Sequence, residues 1–355
     1  MKIVKYLVFL VLVISIGGAI YIGTKDGSFD VAESTVINAP AELIYDQVKD
    51  YKNWENWGPW IQLDPNIKIN YSEKTEGEGA SYSWTSEHMQ VGNGSMETTK
   101  VIPLKEIEQK IIFNTPIGDS QSDVYWRFDP STTPGQTNVT WGMKGEHTFL
   151  EKAFMVLQNE DMETGIGKMF QEGLANLDGL VTEEMKKYSI NVDGITVYDG
   201  GFYIYNSTAS KKNEIGDKMA AMLGQVSGYL QENNIAKTGM PFTIYNQIDD
   251  LTGNVIFSAC IPIEERVITE AGSPVLCGYM EPITALKTTL KGNYEHLEEA
   301  YTKAMEYLVS NKIVMHPTAK TFEVYSTDRD MVPNPADWIT EIYIPVVSNE
   351  KPIDL

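Results

Sequence analysis

A chain of 355 residues exceeds one ordinary hydrophobic core and suits two domains of about 150 residues each. Its formal charge is −21, from 49 acidic against 28 basic side chains, which excludes the basic face that a nucleic-acid binder needs to displace counterions. The two cysteines, Cys260 and Cys277, are too few for a disulfide framework or a metal site and suffice for one bridge at most.

Lys2 and Lys5 precede an apolar run from Tyr6 to Gly23 that carries no charge. Its roughly 18 residues are enough to cross about 30 Å of hydrocarbon as a helix. A cleaved signal peptide has a shorter apolar core and a small-x-small cleavage site. This run continues through Gly17, Gly18, Ala19 and Ile20, and no cysteine follows it for lipid attachment. The expectation is an uncleaved anchor and linker over residues 1–30. Lysines lie before the run. Asp26, Asp30 and Glu33 follow it, with Lys25 the one base nearby. That bias places the N-terminus in the cytoplasm and everything after residue 25 outside it, in a single-pass inner-membrane topology.

Residues 31–188 read as strand, helix, many strands, long helix. Ser34 to Asn38 alternates as a strand. Pro40 sits where a helix begins, since its missing N–H costs nothing there, and the helix runs to about Val48. Short alternating runs follow at 68–72, 79–86, 92–102, 106–113, 122–128 and 137–147, broken by Gly, Pro and Asn. Such spacing predicts an antiparallel curved sheet. Met162, Ile166, Met169, Phe170, Gly173, Leu174, Leu177 and Val181 then recur at three and four, an apolar stripe on a helix ending near Lys187.

Alternation puts Tyr82 and Trp84 on one face, Val124 with Trp126 and Phe128, and Val139 with Trp141 and Met143. Tyr82, Trp84, Trp126 and Trp141 therefore point to the inner side of the sheet, as a solid core or as the lining of a cavity. His88 and His147 read as surface or structural residues. The segments INAPAELIYDQVKDYKNWENWGPW, GEGASYSW, VGNGSMETTKVIP, TNVTWGMKGE and MFQEGLANLDGL, in this order, resemble the polyketide cyclase/dehydrase branch of the START-like (SRPBCC), helix-grip superfamily over about 33–187. The resemblance implies a seven-stranded sheet wrapped round a long C-terminal helix, with an elongated apolar cavity between them. It implies ligand binding without implying catalysis.

Residues 189–355 repeat themselves. GYLQENNIAKTGMPFTIYNQIDD followed by NVIFSACIPI parallels EYLVSNKIVMHPTAKTFEVYSTDRD followed by DWITEIYIPV. Tyr229-Leu230 matches Tyr307-Leu308, Phe242 and Tyr245 match Phe322 and Tyr325, and Ile261-Pro262 matches Ile344-Pro345. Met219, Met222, Leu223, Val226 and Leu230 stripe one helix. Leu297, Ala300, Tyr301, Ala304, Met305 and Leu308 stripe the other. Each helix follows a strand, at about 196–205 and 276–290, so each copy is β-α-β-β. Two such copies form one sheet with two helices on one face. KGNYEHLEEAYTKAMEYLVSNKI and DWITEIYIPV resemble the GyrI-like effector-binding domain of AraC- and MerR-type regulators, over about 190–350. The fold class expected for the whole chain is α+β behind one transmembrane helix.

In the last strand Ile339, Glu341 and Tyr343 share a face. Phe322 and Val324, like Phe242 and Ile244, share a face, and Tyr325 and Tyr245 take the opposite one. The wholly apolar face is expected beneath the helices, leaving the Glu–Tyr face, with Glu341, Tyr343, Tyr325, Tyr245 and Ile339, to line an open groove. A carboxylate among aromatic rings suits a lipophilic cation. The family resemblance assigns Glu341 the role of effector-sensing acid. Ser258 stands in its place in the first copy, and Cys260 stands where Tyr343 does, facing the groove. A Cys260–Cys277 bridge requires the two to be opposed.

No nucleophile–base pair, glycine-rich phosphate loop or metal cluster stands out, so no catalytic residue, metal or cofactor is assigned. The reading is a membrane-anchored protein that senses, sequesters or transfers a small hydrophobic, possibly cationic molecule. One alternative is a hydrolase of electrophiles, with Glu341 as base beside Tyr343 or Tyr325. The other is an envelope scaffold whose cavities are filled by side chains.

Overall fold

The apolar N-terminal run forms α1 (Lys2–Gly23). It is long and apolar enough to cross a membrane, by a test that signal sequences near an N-terminus also pass. The computed structural model describes residues 2–115, 118–157, 162–249, 251–329 and 331–347. The chain divides into two units, Met1–Glu183 and Glu184–Leu355.

In the first unit, β1 (Ser28–Ile37), the short helices α2 (Ala41–Lys49) and α3 (Pro59–Leu63), then β2 (Lys68–Tyr71), β3 (Ser81–Thr85), β4 (Asn93–Ile102), β5 (Glu106–Thr115), β6 (Gly118–Pro130) and β7 (Thr137–Glu146) precede α4 (Phe149–Leu157) and the long α5 (Met162–Met185). The seven strands form one antiparallel sheet in the order β1-β7-β6-β5-β4-β3-β2. Every connection from β2 to β7 is a hairpin. β7 then pairs with β1, leaving β1 and β2 at the sheet's edges. Phe170, Leu174, Leu177 and Val181 of α5 are buried, at the spacing of three and four that turns one stripe of a helix toward a sheet. Phe170 stacks on Trp141 at 4.4 Å between centroids. Gly173 lets the helix come this close, since a Cβ there would lie 2.6 Å from the Trp141 ring.

The second unit contains β8 (Ser189–Tyr198), β9 (Gly201–Lys211), α6 (Ile215–Glu232), β10 (Phe242–Asp249), β11 (Asn254–Ile263), β12 (Leu276–Met280), β13 (Ile283–Lys291), α7 (Leu297–Ser310), β14 (Phe322–Tyr325) and β15 (Ile339–Pro345). Its single sheet runs β12-β9-β11-β10-β14-β15-β13-β8. Exchanging the two copies reverses this order onto itself. The pseudo-two-fold passes between β10 and β14, where Thr243 lies opposite Glu323, its equivalent in the other copy.

Each copy has one strand more than the repeat pattern alone implies. The run at 196–205 is broken at 199–200, and the run at 276–290 at 281–282. The strands on either side of each break do not pair with one another. β8 crosses to pair with β13, and β12 crosses to pair with β9, so each copy lends an edge strand to the other. The two connections meet where Gly200, at φ +71°, comes so close to Met280 that a Cβ would collide with its carbonyl oxygen.

α6 packs on β9 and β11 through Val226 and Leu230 against Ile204, Ile261 and Ile263. α7 packs on β13 and β15 through Ala300, Ala304 and Leu308 against Leu286, Leu290, Ile342 and Ile344. Met305 stays outside this contact and is largely exposed.

Gly200→Ala should destabilise the protein by roughly 2–3 kcal/mol, through a disfavoured positive φ and the clash at the crossing. A fall in the urea midpoint checks this, and an unchanged midpoint would mean that the crossing tolerates a methyl group.

Candidate ligand-binding sites

In the first unit the aromatic residues divide into two groups. Trp126 and Trp141, opposite each other on β6 and β7, stack at 4.4 Å and are fully buried. Trp54 and Trp57, from the turn after α2, meet both rings edge-on at 5.7–5.8 Å. This is solid core rather than cavity lining, because α5 covers that part of the sheet. Tyr82 and Trp84, on β3, instead border a small, partly open space of ≈ 50 Å³ with Tyr51, Trp60, Ile69 and Phe113. A few waters fill such a volume, and a drug-sized ligand needs several hundred Å³.

The indole N–H groups of Trp54, Trp57 and Trp84 find acceptors. Trp54 Nε1 donates to the Val48 carbonyl at 2.8 Å and Trp84 Nε1 to the Val91 carbonyl at 3.3 Å. Among the described residues, Trp126 Nε1 and Trp141 Nε1 are buried without an acceptor, and Gln109 Oε1 without a donor. Gln109 is held by its other end, donating from Nε2 to the Tyr51 hydroxyl at 3.2 Å. Two donors and one acceptor without partners in one core are unusual. His147 is buried against Phe29, at 4.6 Å between rings.

In the second unit the sheet face away from the helices carries its own cluster. Phe242, Ile244, Cys260, Ala285, Phe322, Val324 and Tyr343 are buried together, with Tyr198, Tyr203 and Tyr205 packed against them. Every member is a strand residue. Phe322 and Tyr343 stack at 4.9 Å and 7°, and Tyr198 meets Tyr343 at 5.1 Å. At the edge of this floor the Glu341 carboxylate accepts from Lys287 Nζ at 2.8 Å and from the Tyr343 hydroxyl at 2.9 Å. The pair is partly exposed, at 27 % for Lys287 and 22 % for Glu341. Burial, and then the hydrogen bond to Glu341, push the Tyr343 hydroxyl above its usual range, so it stays a donor.

This arrangement corrects the face assignment made from alternation. Residues opposite each other in an antiparallel pair share a face. Phe322 lies opposite Tyr343 and Val324 opposite Glu341, so the apolar pairs share the groove face with Glu341, Tyr343 and Ile339. Tyr325 lies opposite Thr340 and Tyr245 opposite Phe257, on the helix side. Cys260 is buried in the groove floor. Cys277 packs on the helix side with Ile204 and Val226. Both are free, and side chains on opposite faces of a sheet cannot be bridged.

Tyr325 and Tyr245 instead surround Glu323, which alternation shows only as one polar residue in a short strand. Glu323 is 1 % exposed. Its carboxyl accepts from Tyr301 at 2.8 Å and from Tyr325 at 3.1 Å, with Tyr245 also within hydrogen-bond reach. Tyr325 and Thr243 share a further hydrogen bond at 2.9 Å. The network thus ties β14 to α7 and, across the pseudo-two-fold, to β10. In the first copy the place of Glu341 is taken by Ser258, bonded to Ser207 at 2.6 Å and to Asn246 at 2.7 Å. This face of the sheet is therefore asymmetric.

Two α+β domains, each with an aromatic sheet face, define the class of protein. Residues 28–182 match the family described as polyketide cyclase / dehydrase and lipid transport, and residues 203–347 match the GyrI-like small molecule binding domain. The chain thus carries these two small-molecule-binding domain types in tandem. Among solved structures, the EcmrR C-terminal domain is 16 % identical with a TM-score of 0.39, over 45 % of this chain and 98 % of that one. Protein MLL2253 from Mesorhizobium loti is 16 % identical with a TM-score of 0.32, over 44 % and 98 %. The Aha1 dimer from Colwellia psychrerythraea is 17 % identical with a TM-score of 0.31, over 43 % and 96 %. No curated protein matches the chain.

Burial raises the Glu323 carboxyl above the ordinary glutamate value of 4.5, outweighing the tyrosine hydrogen bonds that lower it. The folded state therefore holds this proton more tightly than the unfolded one. The associated stability is complete below about pH 4.5 and falls as pH rises toward the folded pKa. Glu323→Gln, which keeps an acceptor for Tyr301 and cannot ionise, should remove that decline. Urea midpoints of both proteins between pH 4 and 8 should diverge upward from the acid end, and parallel curves would contradict the assignment.

Proposed function

We propose that the chain is a membrane-anchored protein that binds small lipophilic molecules, and so senses, sequesters or passes them on. The groove of the second unit is its principal site. The observation that carries this reading is a buried aromatic cluster on a sheet face to which neither helix contributes. Rings covered only by neighbouring strand side chains, with no helix layer over them, are suited to an inserted ligand once those side chains part. The START-like unit supplies a second candidate space. At ≈ 50 Å³ it admits a ligand only after its aromatic lining moves.

The anchor is α1. Lys2 and Lys5 before it, and Asp26, Asp30 and Glu33 after it, support a cytoplasmic N-terminus with both domains outside.

The Lys287–Glu341 pair narrows the ligand class. Lys287 already neutralises the carboxylate, so the resting groove favours a neutral lipophile, and a lipophilic cation has to displace the ammonium group. A hydrolytic reading has less support: each Glu341 oxygen already accepts one hydrogen bond, from Lys287 and from Tyr343, and a base here would act through a remaining lone pair.

Binding of a matched pair of aromatic lipophiles, one neutral and one carrying a quaternary ammonium group, tests this account. Lys287→Met should leave the neutral ligand's affinity unchanged and raise that of the cation about tenfold, some 1.4 kcal/mol. Tyr343→Ala should weaken both. If neither ligand binds wild type or variant, the groove is not a binding site.

A further inference from the structure

The span, the cavity of the first unit and α4 converge on one end of its sheet. α1 ends at Gly23 and β1 begins at Ser28, so the connection spans at most roughly 18 Å. Tyr21 and Lys25 mark where the span leaves the hydrocarbon, an aromatic ring and a base of the kind found at that level, with the Lys25 ammonium 4.8 Å from the Tyr21 ring centroid.

β1 is paired with β7 from its first residue, Ser28 opposite Glu146. His147 N–H then donates to the Gly27 carbonyl at 2.8 Å. Lys152, in α4, donates from Nζ to the Lys25 carbonyl at 3.1 Å. The first turn of α4 is thereby held at the level of the interface marker. That turn exposes Phe149 at 46 % and Leu150 at 51 %, two large apolar side chains side by side.

The strand register carries the same end of the sheet across to the cavity. Gly145 lies opposite Ser122, Ser120 opposite Phe113, Phe113 opposite Gly94, and Gly94 opposite Trp84. Phe113 and Trp84 both line this space. The aromatic end of the cavity therefore lies at the tethered end of the sheet. The β4–β5 turn around Lys105 lies at the other end.

We propose that α4 is a membrane-surface helix. In this reading Phe149 and Leu150 enter the interface of the bilayer that holds α1, and the cavity-bearing end of the START-like unit rests on that bilayer, so that its ligand is drawn from the lipid phase. The inference depends on α1 being an anchor. The occupant is the chain's own membrane because the four residues 24–27 leave this end nowhere else to lie. With a chain charge of −21, attraction to anionic lipid contributes nothing, and the contact rests on apolar insertion into a zwitterionic surface.

The test uses the full chain in phosphatidylcholine nanodiscs, with and without doxyl-labelled lipid. A nitrobenzoxadiazole probe is placed by Ile14→Cys in the span, by Leu150→Cys in α4, or by Lys105→Cys at the far end of the sheet. Each variant is made in a Cys277→Ser background, since Cys260 is buried. The expected result is strong quenching at Ile14, roughly twofold or greater quenching at Leu150 by interfacial doxyl groups, and none at Lys105. Quenching at Ile14 with Leu150 behaving like Lys105 overturns the surface-helix proposal while leaving the anchor intact. A blue-shifted but unquenched Leu150 probe also overturns it, because protein rather than lipid then covers the helix. No quenching at Ile14 overturns the anchor and the proposal together.

Discussion

An antiparallel sheet rich in aromatic residues has two faces, and the reach of its helices decides what each face becomes. In the first unit α5 covers the β6–β7 region and turns Trp126 and Trp141 into solid core, locked by Phe170 and admitted by Gly173. It leaves β3 to the short segment after α2, and a small aromatic space remains there. In the second unit both helices lie on one face, so the rings on the other face pack only against each other. Both candidate sites are where helix cover ends.

The duplicated unit has used its pseudo-symmetry unequally. The crossing of β8 and β12 makes the halves interdependent, since each edge strand belongs to one copy and pairs with the other. On the axis, Thr243 faces Glu323, and the acid rather than the alcohol collects the tyrosines. In the groove, Glu341 and Tyr343 of one copy correspond to Ser258 and Cys260 of the other. Charge is thus gathered at one end of the floor, and the other end carries the uncharged hydrogen bonds of Ser258 with Ser207 and Asn246.

Much of the architecture was legible in the sequence because it rests on local periodicity. All six predicted strands between Ile67 and Thr148 coincide with β2 to β7, and the stripe from Met162 to Val181 became α5. What stayed hidden depends on how strands meet. Phe322-Glu323-Val324-Tyr325 places an aromatic ring on each face, so alternation alone could not tell which ring faces the helices. The β14–β15 register decides it. Periodicity also ran unbroken through Asp199-Gly200, concealing the exchange of edge strands. Alternation turns the tryptophans inward, but the division between core and cavity follows from where α5 stops. The partner of Glu341 is 54 residues away in sequence, and nothing local to either residue announces the pair.

The central claim is that these faces hold small molecules. Native mass spectrometry of the full chain released from nanodiscs, before and after exposure to a panel of neutral and cationic lipophiles, addresses it most directly. The account predicts discrete small-molecule adducts, up to two per chain, with neutral compounds retained in preference to cations. A chain that stays at its bare mass throughout the panel would contradict it and would mean that both aromatic faces are closed cores.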